Sequence, residues 1–227
     1  ARQIKKFRRM KVFIHGIDNT WCGDIIFLPE DNGMKCCLTV IDGFSKYAWA
    51  VPIPNKRGAT ITEAFDKIIR TSHRKPLKLW CDNGKQFYNE LFKKYLEMKD
   101  IILYSIQNDG KCVIIERFNR TLEEMIYSKF TENRSEKWVK MLPSLLREYN
   151  NKDHTSIGMS PKEDSKTENT EEVERVLNFE VKNTTKPKLK IGDYARLYKY
   201  KSHFAKGYEP KWTSEVFRIN EVLNTSP

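Results

Sequence analysis

Residues 21–28 have the sequence Trp-Cys-Gly-Asp-Ile-Ile-Phe-Leu, an apolar run interrupted by one acid, Asp24. Tryptophan, isoleucine and phenylalanine are enriched in strands, so the run predicts a β-strand that is largely buried. An unpaired carboxylate is costly to bury, and an acid inside such a strand is therefore a candidate for a chemical role. The stretch predicts both a core strand and a reactive carboxylate on it.

The chain after this stretch predicts a meander of strands and then strands that alternate with helices. Apolar residues at helical spacing indicate helices near residues 61–69, 91–96, 115–126 and 138–150. The nearly continuous apolar run of residues 38–41 predicts a strand that is buried on both faces. This order is typical of a mixed α/β sheet flanked by helices. The predicted strands are Cys22–Leu28, Cys37–Asp42, Tyr47–Ile53, Leu77–Cys81 and Ile101–Tyr104, with turns at Pro29–Gly33 and Gly43–Lys46.

The net charge of +11 is concentrated at the two ends of the chain. All charged side chains in residues 1–11 are basic, and bases outnumber acids again in residues 187–227. In the latter segment, Tyr194–Tyr198 and Glu215–Val222 predict short strands of a small β-barrel. We therefore expect a basic linker at residues 1–11, an α/β core at 12–161, a polar linker at 162–186 with a short helix at Glu171–Leu177, and the barrel at 187–227.

The composition also narrows the possible partners. A basic excess favours an anionic partner, most often nucleic acid. No apolar run approaches the ~20 residues of a membrane span, so no membrane partner is expected. The five cysteines and four histidines show neither CxxC nor zinc-finger spacing. This usage predicts reduced, buried thiols in an intracellular protein and does not support a structural zinc site.

Two more acids lie next to predicted buried elements. Asp82 directly follows the strand that ends at Cys81, and Glu116 lies early in a helix behind three apolar residues. Together with Asp24 they are carboxylates that would repel one another unless a divalent cation binds between them, and oxygen ligands of this kind suit Mg²⁺ or Mn²⁺. Two such ions can activate a nucleophilic oxygen and stabilise the leaving oxygen of a phosphodiester.

Each of these acids also has an ordinary explanation. An Asp before Asn-Gly, such as Asp82, is often a turn former, and a lone Glu in a helix, such as Glu116, is usually solvated. On the first strands, Asp18 and Asp42 compete with Asp24, and Asp42 does so especially because it also ends an apolar strand. Spacing alone leaves the choice open.

Four groups of motifs follow one another along the chain. They are Trp21–Asp24 with Leu38–Tyr47, Asp82–Phe87 with Glu116–Leu122, Tyr149-Asn150 with His154 and Ser160-Pro161, and Lys190–Leu197 with Phe204–Tyr208 and Pro210–Trp212. As a set, over about residues 10–225, they resemble the retroviral-type integrases of the Asp, Asp, Glu superfamily, and among these the integrases of Polinton/Maverick transposons. In this resemblance the first acid of the triad is Asp24, while Asp42 belongs to the next strand.

The resemblance implies a ribonuclease-H-like core followed by an SH3-like C-terminal domain. It implies that Asp24, Asp82 and Glu116 are catalytic and hold two Mg²⁺ or Mn²⁺ ions. The implied reactions are 3′-end processing of element DNA and strand transfer into target DNA, and we expect a homo-oligomer because two DNA ends are joined at once. We expect this work to take place in the nucleus. Residues 2–9 resemble the basic linker that follows the family's zinc-binding domain, so we expect the chain to be a piece of a longer protein.

Basic side chains near the triad and in the barrel are expected to contact DNA. In the family a flexible loop precedes the glutamate; here it is Ile106–Cys112, where Gly110 supplies flexibility and Lys111 can meet a phosphate. Arg120 lies one helical turn past Glu116, on the same side. The expected nucleic-acid-binding residues are Lys111, Arg117, Asn119, Arg120, Arg196, Lys199, Lys201 and Lys206.

The sequence departs from the family pattern at Glu123, at Gln107 and in containing no His/Cys zinc-binding domain before the basic linker, and the first and third of these departures motivate an alternative function. Glu123 stands where many relatives carry a second basic residue, and Gln107 stands where transposon relatives often carry His. The alternative is a domesticated protein that binds nucleic acid but is catalytically silent. A ribonuclease-H-like nuclease of another kind is disfavoured, because the predicted SH3-like tail matches integrases.

Overall fold

A mixed sheet of five strands is the central layer of the larger of two units in this chain. The computed structural model describes residues 14–105, 112–166, 189–197 and 212–221. Residues 14–105 and 112–166 belong to the larger unit, and residues 189–197 and 212–221 belong to the other.

Strands and helices of the larger unit alternate in the predicted order. The strands are β1 (Thr20–Asp31), β2 (Met34–Asp42), β3 (Ala48–Ile53), β4 (Lys78–Trp80) and β5 (Ile102–Tyr104), and the helices are α1 (Gly58–Ser72), α2 (Glu90–Met98), α3 (Val113–Asn133), α4 (Leu142–Asn151) and α5 (Pro161–Asp164). The strand order in the sheet is β3-β2-β1-β4-β5. The first three strands pair antiparallel, whereas β4 runs parallel to β1, and β5 parallel to β4. The prediction of a mixed α/β sheet flanked by helices is confirmed.

Both faces of the sheet are covered by helices. Successive residues of a strand point to opposite faces, so neighbours in one strand pack against different helices. Trp21 of β1 packs with Phe65 and Phe92 on the side of α1 and α2. The next residue, Cys22, packs with Leu122 on the side of α3 and α4. β2 is buried from residue 36 to residue 42, which confirms the prediction of a strand buried on both faces.

The first strand is longer than predicted. β1 continues through Pro29 to Asp31, and the turn is confined to Asn32 and Gly33, whose φ angles are 52° and 76°. Positive φ at both positions is what a two-residue hairpin turn of type I′ requires. Proline has no N–H to donate, and the pairing of β1 with β2 is irregular between Phe27 and Asp31, which accommodates it.

The fourth helix begins later than predicted. Trp138 precedes α4 instead of lining it, and its buried indole N–H donates to the carbonyl of Pro29 at 2.8 Å. At the other end of α4, the side-chain amide of Asn150 bonds both the N–H and the C=O of Ala48, each at 2.9 Å. The two bonds between Asn150 and Ala48 hold α4 against the edge strand β3, and they give Asn150 a structural role.

Core packing continues into the first residues of the segment 162–186, which was predicted to be a polar linker. The hydroxyl of Ser160 accepts the main-chain N–H of Glu163 at 3.3 Å and so caps the short helix α5. The side chain of Asp164, at the end of α5, is fully buried. The packed core therefore extends at least to this residue, and the predicted helix at Glu171–Leu177 lies outside the described residues.

Two short strands are described in the second unit. β6 (Tyr194–Ala195) and β7 (Phe217–Arg218) pair antiparallel and lie within the two predicted strands. The turn before β6 contains Gly192 with a φ of 95°. The SH3-like barrel stays a prediction, because most of residues 187–227 lie outside the described ranges.

Two further observations concern the cysteines and the length of the helices. All five cysteines are buried and free. Among the described helices, none combines the length and apolar character needed to cross a bilayer.

Candidate active site

Asp24 lies on β1 with both carboxylate oxygens held by hydrogen bonds. The main-chain N–H of Ile25 donates to Oδ1 and the side-chain amide of Asn119 donates to Oδ2, each at 2.8 Å. The main-chain carbonyl of Asp24 accepts the hydroxyl of Thr39, on the neighbouring β2, at 3.1 Å. This half-buried acid therefore has a fixed position on a central strand of the sheet.

Asp82 lies level with Asp24, just past the end of the neighbouring strand. β4 runs parallel to β1 with Trp80 paired to Cys22, so each acid stands two residues beyond a paired position. Asp82 is exposed, and the side-chain amide of Gln86 donates to its Oδ1 at 3.2 Å. The parallel register thus brings Asp82, just past the carboxyl end of β4, beside Asp24 on β1.

Glu116 approaches these two acids on helix α3. It lies in the first turn of α3, three residues before Asn119, and residues three apart on a helix share a face. Because Asn119 contacts Asp24, this face of α3 is turned toward β1. The carboxylates of Asp82 and Glu116 both raise the pKa of Asp24, as expected for like charges in one neighbourhood.

Burial is the largest of the effects that together raise the pKa of Asp24 to about 6. The charges of Asp82 and Glu116 act in the same direction, while the hydrogen bonds from Ile25 and Asn119 oppose them. The raised pKa means that this position disfavours negative charge, a condition that a bound cation would relieve.

The donor set fits a hard divalent cation. Mg²⁺ and Mn²⁺ prefer carboxylate oxygens, which Asp24, Asp82 and Glu116 supply. Among the described residues, no three His, Cys, Asp or Glu side chains are close enough together to hold an ion. Residues 106–111, which precede α3, lie outside the described ranges. The three acids therefore fit the ion in charge and donor chemistry, and their role as ligands stays a prediction.

Asp18 and Asp42 belong to a separate ionic cluster around Arg74. The guanidinium of Arg74 donates to Asp18 Oδ1 at 2.7 Å and to Asp42 Oδ2 at 2.8 Å, and it stacks over the ring of Trp49. Asp42 is fully buried, and burial raises its pKa despite the nearby guanidinium. Two acids paired in this way have a structural role, which leaves Asp24 as the candidate on these strands.

The residues expected to bind DNA differ in their surroundings. Arg117 and Arg120 are exposed on α3, and Arg196 is exposed in the second unit. Asn119 is buried, and its amide group is used by Asp24. DNA contact stays a prediction for all of them. Outside the described ranges lie Lys111, Lys199, Lys201 and Lys206, as well as Gln107.

Two positioning contacts at the site were missed by the sequence analysis. Asn119 was assigned to DNA, although its spacing of three residues from Glu116 was a signal that both could face the same partner. Gln86 lies in the Asp82–Phe87 motif, and its spacing of four residues from Asp82 was the corresponding signal.

Comparison with known proteins finds similarity to integrases and to transposon-derived proteins. Residues 15–107, which contain Asp24 and Asp82, match the model of the integrase core domain. A transposon-derived protein of Caenorhabditis elegans is 28% identical over 199 residues, which make up 86% of this chain and 66% of that protein. The Tf2-3 transposon polyprotein of Schizosaccharomyces pombe is 29% identical over 143 residues, or 60% of this chain and 10% of the polyprotein. The chain thus spans only part of the length of these relatives.

Solved structures of retroviral integrases share the fold. The catalytic core of HTLV-2 integrase, in a complex with magnesium, aligns with a TM-score of 0.56 at 17% identity over 66% of this chain and 97% of that one. The simian T-cell lymphotropic virus intasome aligns with a TM-score of 0.68 at 16% identity over 91% of this chain and 71% of that one. The ribonuclease-H-like fold of the core is thereby confirmed, and the narrower Polinton/Maverick assignment stays a prediction.

Proposed function

We propose that this chain, whose residues 15–107 match the model of the integrase core domain, is part of a transposon-encoded DNA integrase that processes 3′ ends of element DNA and joins them to target DNA. One observation carries the proposal. The β1–β4 register sets Asp24 and Asp82 level on neighbouring strands, and the bond from Asn119 to Asp24 turns the face of α3 that carries Glu116 toward β1.

In this mechanism the residues of the chain hold and orient the reacting groups. Asp24, Asp82 and Glu116 would hold two Mg²⁺ or Mn²⁺ ions, which when bound activate the attacking oxygen and stabilise the leaving oxygen. Asn119 fixes the orientation of the Asp24 carboxylate, and the amide of Gln86 restrains that of Asp82. The attacking oxygen belongs to water during end processing and to the DNA 3′-hydroxyl during strand transfer.

The proposed partners follow from this reaction. Arg117 and Arg120, exposed beside Glu116, are suited to contact phosphates of the DNA end. Joining two ends at once requires at least two active sites, so we propose a homo-oligomer, in keeping with the intasome among the similar structures. Because the target DNA is host DNA, we propose that the activity takes place in the nucleus of the host cell.

The test is end joining of labelled oligonucleotides by the full chain with Mg²⁺ or Mn²⁺. Asp82→Asn is expected to reduce joining to the level observed in EDTA while the melting temperature stays close to that of the wild type. Asp100→Asn is the matched control, because Asp100 is an exposed aspartate in the turn between α2 and β5. Joining that survives Asp82→Asn, or that proceeds in EDTA, would overturn the proposal.

A second function is favoured by Glu123. This half-buried acid lies on α3 one turn beyond Arg120, and burial raises its pKa. An acid at a position where relatives carry a basic residue is expected to weaken binding of the phosphates at the DNA end. The alternative is a domesticated protein that binds nucleic acid in a salt-sensitive manner without nicking it, and detectable joining would exclude this function.

A further inference from the structure

A cavity of about 300 Å³ opens beside α3, next to the face that carries Glu116. Val113, Arg117 and Thr121 recur every four residues along α3 and form one wall of the cavity. The opposite wall is the segment Lys152–Ser156, which follows α4. Consecutive helical residues are separated by about 100° around the axis, so the cavity and the candidate acidic site lie on neighbouring faces of one helix.

The interior of this cavity is apolar. Its inner wall includes the buried side chains of Ile41 and Phe118 and the ring of Tyr149. An apolar recess of this size is at the small end of ligand pockets, which span about 300–1,000 Å³, and it suits a single flat group.

The mouth of the cavity is cationic. Arg117 and Lys152 are exposed at its edge, and Lys46 lies deeper. Among the described residues of this lining, Asp153 is the one acid. Burial first, and then the charges of Lys46 and Arg117, lower the pKa of His154 to about 4, which indicates positive potential around the imidazole.

Two of the lining residues, His154 and Tyr149, carry donor groups. The main-chain N–H of Ser156 donates to His154 Nδ1 at 3.3 Å, so the neutral ring carries its proton on Nε2. The ring of Tyr149 packs against that of His154 with centroids 6.4 Å apart. The Nε2–H group and the hydroxyl of Tyr149 can therefore bond polar atoms at the edge of a flat ligand.

We propose that this cavity binds one unpaired nucleotide of a DNA strand, with its base in the apolar interior and its phosphate between Arg117 and Lys152. A paired duplex presents phosphates but no accessible base face, so a duplex alone would use the cationic mouth and leave the apolar interior unused. An unpaired nucleotide uses both. The inference rests on the proposed function in that DNA is the partner, and it adds a binding site separate from the three acids.

The experiment compares two DNA duplexes, one blunt and one with a short single-stranded 5′ extension. Their affinities for the full chain are measured by fluorescence anisotropy in EDTA, which removes any contribution of bound metal. The wild type is expected to bind the extended duplex about fivefold more tightly or better, since stacking of one base on protein gives a gain of this order. Lys152→Glu and Thr121→Trp are expected to abolish the preference, by reversing a charge at the mouth and by filling the interior.

The matched control is Lys137→Glu, which makes the same charge change at an exposed lysine outside the cavity lining. This variant is expected to retain the preference. A wild type without preference, or a preference that persists in Lys152→Glu, would overturn the inference. The outcome is independent of the test of function, because Asp82→Asn is expected to abolish joining and to leave the preference in EDTA unchanged.

Discussion

The side-chain amide of Asn119 donates a hydrogen bond of 2.8 Å to Asp24 Oδ2 and joins α3 to β1 across 95 positions of sequence. The other oxygen of Asp24 accepts the main-chain N–H of Ile25 at 2.8 Å, so the carboxylate cannot rotate without losing a donor. The side-chain oxygen of Asn119 is itself buried and, among the described residues, has no hydrogen-bond partner. The hydrogen bond from Asn119 therefore fixes the orientation of the Asp24 carboxylate, which the proposed mechanism requires to be held in place.

Asn119→Ala is expected to weaken metal-dependent activity without preventing folding. Loss of a group that orients a metal ligand typically costs 10- to 100-fold in metal affinity or activity. The missing hydrogen bond is expected to lower the free energy of unfolding by about 1–2 kcal/mol. Isothermal titration with Mn²⁺ and denaturant unfolding measure the two effects.

The control for this change is Asn151→Ala. The amide of Asn151 donates to the carbonyl of Arg147 at 2.6 Å on the exposed side of α4, far in sequence from the acids. It is expected to leave Mn²⁺ affinity unchanged. Equal Mn²⁺ affinity in Asn119→Ala and the wild type would contradict the positioning role.

Asp24→Asn is expected to stabilise the metal-free protein at alkaline pH. The folded protein raises the pKa of Asp24 from 3.8 to about 6, so the contribution of this acid to stability is fully present below pH 3.8 and is lost as the pH rises through 6. At pH 8 in EDTA, the variant is expected to unfold with a free energy about 2 kcal/mol higher than the wild type. Asn119 can accommodate the new amide by turning its unpartnered oxygen toward it.

The advantage of Asp24→Asn is expected to shrink between pH 6 and pH 4, as the wild-type carboxyl takes up a proton. It is expected to reverse in Mg²⁺, because the ion stabilises only the protein that binds it. Urea unfolding at pH 8 and at pH 4, each with EDTA or with Mg²⁺, provides the comparison. A difference that does not change with pH would contradict the raised pKa.

The elements of the core could be predicted because their patterns are local. The apolar run at residues 21–28 and the helical spacing of Ile61, Ala64, Phe65 and Ile68 are complete within one strand or a few turns, and apart from the exposed Phe27 their large apolar side chains are buried or half-buried. The predicted turn at Pro29–Gly33 starts too early, because an irregular pairing of β1 with β2 accommodates Pro29 within the strand.

The site could be predicted only in part, because its decisive contacts are not local. Arg74 lies in a polar loop after α1, and nothing in its neighbourhood indicates that it pairs with Asp18 and Asp42. Without that pairing, the sequence could not separate these acids from Asp24. The placement of Asp82 beside Asp24 likewise depends on the register between two strands that are far apart in the chain.

Arg74→Ala is expected to be strongly destabilising. It leaves the fully buried Asp42 without its cationic partner, and removing one member of a buried ion pair typically costs about 3–5 kcal/mol. Arg74→Lys is expected to recover little, because lysine cannot reproduce the two-sided pairing or the stacking on Trp49. The control is Arg70→Ala, whose exposed bridge to Asp66 is expected to contribute less than about 1 kcal/mol. Thermal unfolding that ranks Arg70→Ala as equally damaging would contradict this role of Arg74.

His154→Gln is expected to change how stability depends on pH. Burial and the nearby cations lower the pKa of His154 from 6.5 to about 4, so its contribution is fully present above pH 6.5 and is lost as the pH falls toward 4. Asp164 titrates in the opposite sense, because its pKa is raised to about 6, and only the difference between wild type and variant isolates the histidine. Between pH 7 and pH 4.5, the free energy of unfolding of the wild type is expected to fall by about 2 kcal/mol more than that of the variant. Parallel curves in urea unfolding would mean that the imidazole is not held in the neutral form.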